Sequence, residues 1–305
     1  MSAAGQGGSA DVLVTGAGSF VGNYIVRHLS DLGVRVRAVY RTPTAAVESL
    51  QGHDNVVLVH GDLAEPSFLE SLFPSPGGVI HVAASGATTG VSSSQLLRDN
   101  ALATAGLVDY AIAADCPKFI FLSSVSVHGD VREPAISVGT EIRNPDVYGL
   151  TKRFAEVLLE ERSNDLASVA VRLPAVLGRG ARTHWLSRLV ATARSGREIE
   201  IFNPSSPFNN GVHQVDLCRF MVTLLDSDIE GFQAFPVASS EPIPISQVVA
   251  TVLAETASLS PVRVAESSRV AFVIDDSCAR REWGYESLAI QSAVRRYARE
   301  EAADD

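Results

Sequence analysis

Residues Val12 to Arg27 read VLVTGAGSFVGNYIVR, and this stretch decides the fold. Val12, Leu13 and Val14 form an apolar run without polar alternation, the pattern of a strand buried on both faces. Thr15-Gly16-Ala17-Gly18-Ser19 is a turn. From Phe20 the apolar positions Phe20, Val21, Tyr24, Ile25 and Leu29 follow helical spacing. A strand, a glycine turn and a helix bring backbone N–H groups and the positive end of a helix dipole to one point, which suits a phosphate. Gly16 permits the tight turn, Gly18 removes a Cβ where a pyrophosphate would pass, and Gly22 lets the helix lie close on the sheet. Strand before and helix after are the context that makes such a turn a dinucleotide site.

Outward from this unit the chain repeats the same rhythm. Val34–Tyr40, Val56–His60, Gly78–Ala84, Lys118–Leu122 and Ser168–Leu173 read as strands. A helix is expected over about 93–114, with Leu96, Asn100, Thr104, Leu107 and Ala111 on one face, and another from Val147 to Ser163, started by Asn144-Pro145-Asp146. Alternating strands and helices predict an α/β fold, a Rossmann-type doubly wound parallel sheet, with ligands at the carboxyl ends of the strands. Beyond Pro174 the rhythm changes. We expect a dinucleotide-binding domain over 11–173 plus about 213–240, and a smaller C-terminal substrate-binding lobe over about 174–212 plus 241–305. Residues 1–10 are expected as a flexible tail and Glu300–Asp305 as a solvated acidic end.

The 305 residues suffice for a large core, and 46% hydrophobic with 20% charged residues is ordinary for a globular protein. A formal net charge of −10 argues against nucleic acid or an anionic membrane as partner, though not against a phosphorylated small molecule. Cys116, Cys218 and Cys278 are far apart and lack metal-ligand spacing, so they read as free thiols and no metal is expected. The small, polar N-terminus lacks the features of a secretory signal, and no apolar run approaches the ~18 residues of a membrane span. The expected location is the cytoplasm.

The sharpest chemical signal is Tyr148-Gly149-Leu150-Thr151-Lys152. Four residues apart on a helix, the phenol and ammonium share a face. A nearby cation favours phenolate, lowering a pKa that starts near ~10 and making the tyrosine a usable acid or base. Lys118 and Lys152 are the only lysines in the chain. Arginine would serve a structural ion pair equally well, so lysine here points to a compact point charge. Ser124, after the fifth strand, could hold a substrate oxygen beside Tyr148. Ser123 is expected only to satisfy backbone groups.

These residues carry a resemblance. Thr15–Gly22 (TGAGSFVG), Gly61–Leu63 (GDL), His81–Ala84 (HVAA), Asn100, Phe121–Gly129 (FLSSVSVHG), Tyr148–Lys152 (YGLTK), Arg172–Gly178 (RLPAVLG), Val212–Asp216 (VHQVD) and Trp283–Tyr285 (WGY) are similar, nearly end to end, to extended short-chain dehydrogenases/reductases of the sugar-nucleotide epimerase/dehydratase family. The resemblance implies a triad of Ser124, Tyr148 and Lys152 with Asn100 in support. It also places Asp62 and Leu63 at the adenine, Ala83 and Ala84 along the cofactor, and Pro174 to Val176 near the nicotinamide. Lys152 would also hold the nicotinamide ribose. Relatives pair the helices near 93–114 and 147–163 into a four-helix bundle, so a homodimer is expected.

Three positions depart from the family pattern. Ser19 stands at the usual middle glycine, His128 at a common tyrosine, and Asn209 at a nucleotide-gripping arginine. Candidate substrate contacts are Ser85, Ser124, His128, Arg179, Arg182, Trp185, Asn209 and Asn210, with Ala87 and Thr88 nearby; His128 reads equally well as a packed loop residue. His213 reads as structural. The second strand ends at Tyr40-Arg41 instead of an acidic residue. An arginine there can neutralise a 2′-phosphate, which favours NADP(H), with NAD(H) as the alternative. The expected activity is a ketoreductase moving hydride from NADPH to a 4-keto sugar nucleotide. The alternatives are a nucleotide-sugar 4-epimerase using NAD⁺ and, in another class, a non-catalytic NADP(H)-sensing or scaffold protein. A dehydratase is disfavoured because Val125-Ser126 supplies no additional acid.

Overall fold

The computed structural model describes residues 11–72, 74–86, 90–267 and 270–302. The expected N-terminal tail, Ala87, Thr88 and the last three residues lie outside them. Seven parallel strands form the central sheet: β1 (Val12–Thr15), β2 (Val36–Tyr40), β3 (Val56–His60), β4 (Gly78–His81), β5 (Phe119–Ser124), β6 (Ser168–Leu173) and β7 (Phe232–Pro236), in the order β7-β6-β5-β4-β1-β2-β3. The order reverses between β1 and β4, which puts the switch point of a doubly wound sheet beside the glycine turn. β5 includes both Ser123 and Ser124. The seventh strand is an element the sequence reading did not mark; its terminal Pro236 is tolerated because β7 lies at the sheet edge.

Strand alternation divides the core in two. Val12 and Val14, Ile120 and Leu122, and Val169 and Val171 face helices α1 (Phe20–Asp31) and α5 (Gln214–Asp226). Leu13, Phe119, Phe121 and Ala170 face α2 (Ala103–Ala113) and α3 (Val147–Glu161). With helices on both faces, the strands read as continuous apolar runs. A third core joins α4 (Trp185–Arg194), α6 (Ile245–Glu255) and α7 (Ile290–Ala302) through Leu186, Leu189, Val190, Val248, Val252, Val294 and Tyr297. Residues 277–285, assigned to the smaller lobe from sequence, instead place Ala279 and Tyr285 in the sheet core against Phe220. The acidic chain end is also corrected: Glu300 and Glu301 belong to α7, and Glu301 is buried, accepting from Gly180 N and Arg182.

The approach to α2 widens into a π-helical turn at Leu97–Leu102, which carries Asp99 and Asn100. Such turns recur at functional sites. No helix among the described residues is long and apolar enough to cross a membrane.

At the glycine turn, Gly16 has φ +75° and its absent Cβ would lie 2.8 Å from Ala83 N. Gly22 is tighter still: a Cβ there would meet Gly16 O at 2.2 Å. A Cβ at Gly18 would lie 3.2 Å from Val47 Cγ2 and 3.4 Å from Thr44 Oγ1, so close packing on residues 44–47 favours a small residue there as well. Gly22→Ala should therefore lower stability by about 1–3 kcal/mol despite alanine's better helix propensity. Urea denaturation checks this, and an unchanged midpoint would contradict the packing argument.

Candidate active site

The turn and the switch point open onto a cleft with two chambers. One, of about 200 Å3, is walled by Gly16, Gly18, Ser19, Tyr40, Arg41, Asp62, Leu63, Ala83, Ala84, Ser85 and Asp99. The other, of about 790 Å3, is walled by Ser19, Phe20, Val21, Ala84, Ser124, Tyr148, Lys152, Pro174, Val176, Arg182, His184 and Asn210, among others. Ser19 and Ala84 belong to both, so the chambers form one elongated cleft across the carboxyl ends of the strands. The cleft fits a dinucleotide: a Cβ at Gly16 or Gly22 would push the turn apart, and the first turn of α1 faces the junction. Ser19, the departure from the glycine pattern, caps α1 by accepting from Gly22 N at 3.0 Å.

Asp146 accepts from Gly149 N at 2.7 Å and starts α3, placing Tyr148 in its first turn. Tyr148, Lys152 and Glu156 then recur every fourth residue on the face turned to the sheet. Tyr148 and Ser124 stand together on the wall of the large chamber, where Ser124 Oγ donates to Ser126 Oγ at 3.1 Å. Burial raises the Tyr148 pKa; the nearby Ser124 hydroxyl opposes this and the charge of Asp146 adds to it. Lys152 is buried, donates to Leu122 O at 2.8 Å, and lies over Phe121 at 4.6 Å from the ring centre. Its distance to the Tyr148 ring centre is 6.0 Å. The expected lowering of the Tyr148 pKa by Lys152 is thus not found among the groups of the chain; burial dominates and keeps the phenol protonated at neutral pH. Burial also pulls the Lys152 pKa down to about 7, with the charge of Glu156 opposing.

Behind this pair sits a closed ionic network. Glu156 is fully buried and accepts from Ser123 Oγ at 2.7 Å, Arg172 Nε at 3.0 Å, Arg172 Nη2 at 2.9 Å and Arg153 Nη1 at 3.2 Å. Ser123 therefore has the structural part expected of it, though through a side chain. His128 is buried here too, 3.4 Å from Arg172 Nη1, and burial followed by the Arg172 charge lowers its pKa. It lies off the cleft wall, which corrects its assignment as a substrate contact.

Asn100 is buried, donates to Ser85 O and Thr151 Oγ1 at 3.0 Å each, and accepts from Ser85 N at 2.7 Å. It ties the cleft floor to α3. Among the other candidate substrate contacts, Arg182 and Asn210 line the large chamber. Ser85 lies in the smaller chamber and donates to Asp99. Asn209 is spent on Ile274, donating to its carbonyl and accepting from its amide. Trp185 packs on Phe208, 5.3 Å between ring centres, and Arg179 is exposed away from both walls. His213 caps α5 and contacts Glu300, a structural part.

Sequence reasoning missed His184 and Asp99. His184 Nδ1 accepts from Ser187 N and caps α4, while Nε2 is buried without a hydrogen-bond partner among the described residues. A polar residue directly before the apolar period of α4 was the available signal.

Because the folded pKa of Lys152 lies below the ~10.4 of an unfolded lysine, the unfolded chain binds more protons between those values. Its contribution to stability therefore rises with pH from about 7 to about 10.4 and is flat below. Lys152→Met should lack this contribution. Chemical denaturation at several pH values should show the wild type gaining on the variant as pH rises; parallel curves would refute the shift.

Residues 12–238 match the model of the NAD dependent epimerase/dehydratase family. The chain is 27% identical over 298 residues to a dTDP-4-dehydro-6-deoxy-D-allose reductase of Streptomyces sp, covering 87% of this chain and 90% of that protein. In structure it is similar to Bordetella bronchiseptica WbmH in complex with NAD+, with TM-score 0.84 and 20% identity over 96% of this chain and 98% of that one. It is also similar to a UDP-N-acetylglucosamine 4-epimerase of Methanobrevibacter ruminantium M1 in complex with UDP-N-acetylmuramic acid, with TM-score 0.82 and 18% identity over 96% and 98% of the two chains. A family match over most of its length, on the switch-point cleft and the Tyr148/Lys152 helix, makes this chain a member of the NAD dependent epimerase/dehydratase family, within the extended short-chain dehydrogenases/reductases.

Proposed function

We propose that the protein is a ketoreductase acting on a 4-keto sugar nucleotide. The observation that carries this reading is the placement of Ser124, Tyr148 and Lys152 together on the wall of the large chamber. A phenol placed there can quench the alkoxide that forms on reduction, the direction we favour. The similarity to a dTDP-4-dehydro-6-deoxy-D-allose reductase supports the same choice.

A bound nicotinamide dinucleotide supplies hydride to the carbonyl carbon. Gly16, Gly18, Ser19, Phe20, Val21 and Gly22 would hold its pyrophosphate. Tyr40, Arg41, Asp62 and Leu63 would hold its adenosine, and Ala83, Ala84, Pro174 and Val176 its nicotinamide side. Ser124 holds the substrate oxygen, and Tyr148 passes its Oη proton to that oxygen as the C–H bond forms. The ammonium form of Lys152 stabilises the tyrosinate left behind until solvent returns its proton. Asn100 keeps α3 in register with the cleft floor. Arg182 and Asn210 are the remaining candidates for the nucleotide-sugar contacts. The cofactor expected from Arg41 alone is NADP(H), with NAD(H) as the alternative; the pairing of Arg41 with Asp99 reduces the lean toward the first.

We also propose a homodimer through α3. Val147, Leu150, Phe154 and Val157 are exposed at helical spacing, and Leu97 and Leu102 are exposed on the neighbouring segment. Apolar groups so aligned mark an association surface.

Tyr148→Phe should lower turnover of a 4-keto sugar nucleotide by about 10²-fold or more while cofactor affinity stays within about threefold. Stopped-flow reduction and fluorescence titration measure the two. Unchanged turnover would sink the mechanism, and a wild type that binds cofactor but turns over no keto sugar would favour the scaffold reading. Light scattering at micromolar concentration should give twice the chain mass, and Phe154→Glu should give the monomer. A monomeric wild type would exclude the dimer.

A further inference from the structure

The smaller chamber contains an arrangement that the reading of Arg41 as a free cation did not foresee. Arg41 donates through Nη1 to Asp99 Oδ1 at 2.7 Å and through Nη2 to Asp99 Oδ2 at 3.1 Å. Asp99 comes from the π-helical turn at 97–102, 58 residues away in sequence. Its side chain is only 5% exposed, whereas that of Arg41 is 47% exposed. Ser85 Oγ donates to Asp99 Oδ2 at 2.6 Å, and Arg98 Nη1 donates to Oδ1 at 3.2 Å. Both carboxylate oxygens are thus engaged twice.

The surrounding charge is not cationic. Asp62 lies 4.0 Å from Arg41 Nη1, and Arg98 is itself divided among Asp62, Asp99 and Glu65. Three carboxylates therefore face two guanidiniums at this end of the cleft. Burial disfavours ionised Asp99, but the hydrogen bonds from Arg41 and Ser85 and the charge of Arg41 outweigh it and hold the carboxyl at about 2. It is an anion throughout the neutral range.

Building on the dinucleotide reading of the cleft, we propose that Asp99 is the residue that sets cofactor choice, by pairing Arg41 and so weakening selection for a 2′-phosphate. An unpaired arginine at the end of β2 is a strong site for a phosphate dianion. A bidentate pair is electrically neutral and offers only the remaining N–H groups. Asp99 thereby takes over, from the helix side, the discrimination that relatives assign to an acidic residue at the end of β2. It does so without touching the ribose, because its own oxygens are already satisfied. The carboxylate restrains the affinity of NADP(H) and is neutral toward NAD(H).

Four titrations on the full-length protein, with NADPH, NADP⁺, NADH and NAD⁺, test this in the wild type, Asp99→Asn, Asp99→Ser, Arg41→Ala and the Arg41→Ala/Asp99→Asn double variant. Asp99→Asn keeps the shape and removes the charge. It should tighten NADP(H) on the order of tenfold, from one unit charge removed beside the half-exposed guanidinium, and leave NAD(H) within about twofold. The gain should vanish in the double variant, since it requires Arg41. Arg41→Ala alone uncovers the carboxylate and should weaken NADP(H) more than NAD(H). Retained NAD(H) affinity certifies that a variant is folded, and Asp99→Ser carries the test if the asparagine variant fails that criterion. An unchanged NADP(H)-to-NAD(H) ratio on removing the carboxylate overturns the proposal while leaving the cleft reading intact. A wild type that binds none of the four dinucleotides overturns the cleft reading itself.

Discussion

The hydroxyl of Thr15 is the interaction on which the rest of this structure depends. At the switch point α1 and α2 leave to opposite faces of the sheet, and the backbone beyond β4 loses its ladder partners. Thr15 Oγ1 accepts from Val82 N and Ala83 N, both at 3.1 Å, and lies 2.7 Å from His81 Nδ1. His81 Nε2 lies 2.8 Å from Thr104 Oγ1, and Thr104 donates to the carbonyl of Asn100. With Thr15 Oγ1 already accepting twice, one tautomer satisfies every group: Thr15 donates to Nδ1 and Nε2–H donates to Thr104. An imidazolium would leave two donors facing at Thr15. Burial, with Lys152 adding to it, accordingly drives the His81 pKa down to about 3. The bonds continue from Asn100 to Thr151 and from Thr151 Oγ1 to Tyr148 O. An unbroken buried chain thus runs from the glycine turn to the backbone of Tyr148.

What the sequence discloses follows from how far each constraint reaches. The turn at Gly16–Gly22 and the helix of Tyr148 and Lys152 are local patterns, and the structure places both on the cleft. Long-range pairing is another matter. Nothing in Tyr40-Arg41 signals that a carboxylate 58 residues later will bind the guanidinium. Asn209 and His128 face the same limit: a polar residue in a loop can turn to the cleft or to a neighbouring backbone, and local spacing does not choose. β7 was hidden because its burial comes from β6 and from Trp283, outside its own segment.

The rarity of lysine is a useful case. It draws attention to Lys152, which the structure buries and whose pKa burial lowers to about 7. Yet Lys118, the other lysine, donates to Leu225 O and Ser227 O at the end of α5. There the cation meets the negative end of a helix and satisfies orphan carbonyls. A compact ammonium is therefore kept in this chain wherever it must fit among backbone oxygens. Chemistry is one such place, and helix capping is another.

The two ends of the cleft manage charge in opposite ways, and this explains their different tolerance to change. At the Tyr148 end, burial favours neutral forms: the phenol is held protonated, Lys152 is near neutrality and His81 is uncharged. The full charges there, Glu156 and Arg172, stay behind the wall with their hydrogen bonds closed on each other, where loss of either partner would leave an isolated buried ion. At the Arg41 end the charges remain, three carboxylates paired with two partly exposed guanidiniums, in contact with solvent that softens any imbalance. A charge introduced at the Tyr148 end meets a low dielectric and disturbs the proton that the reaction needs. On the proposed roles, a charge altered at the Arg41 end bears on the dinucleotide and lies in a different chamber from that proton. The two ends of one continuous cleft thus differ in how they hold charge, neutral forms at Tyr148 and paired ions at Arg41.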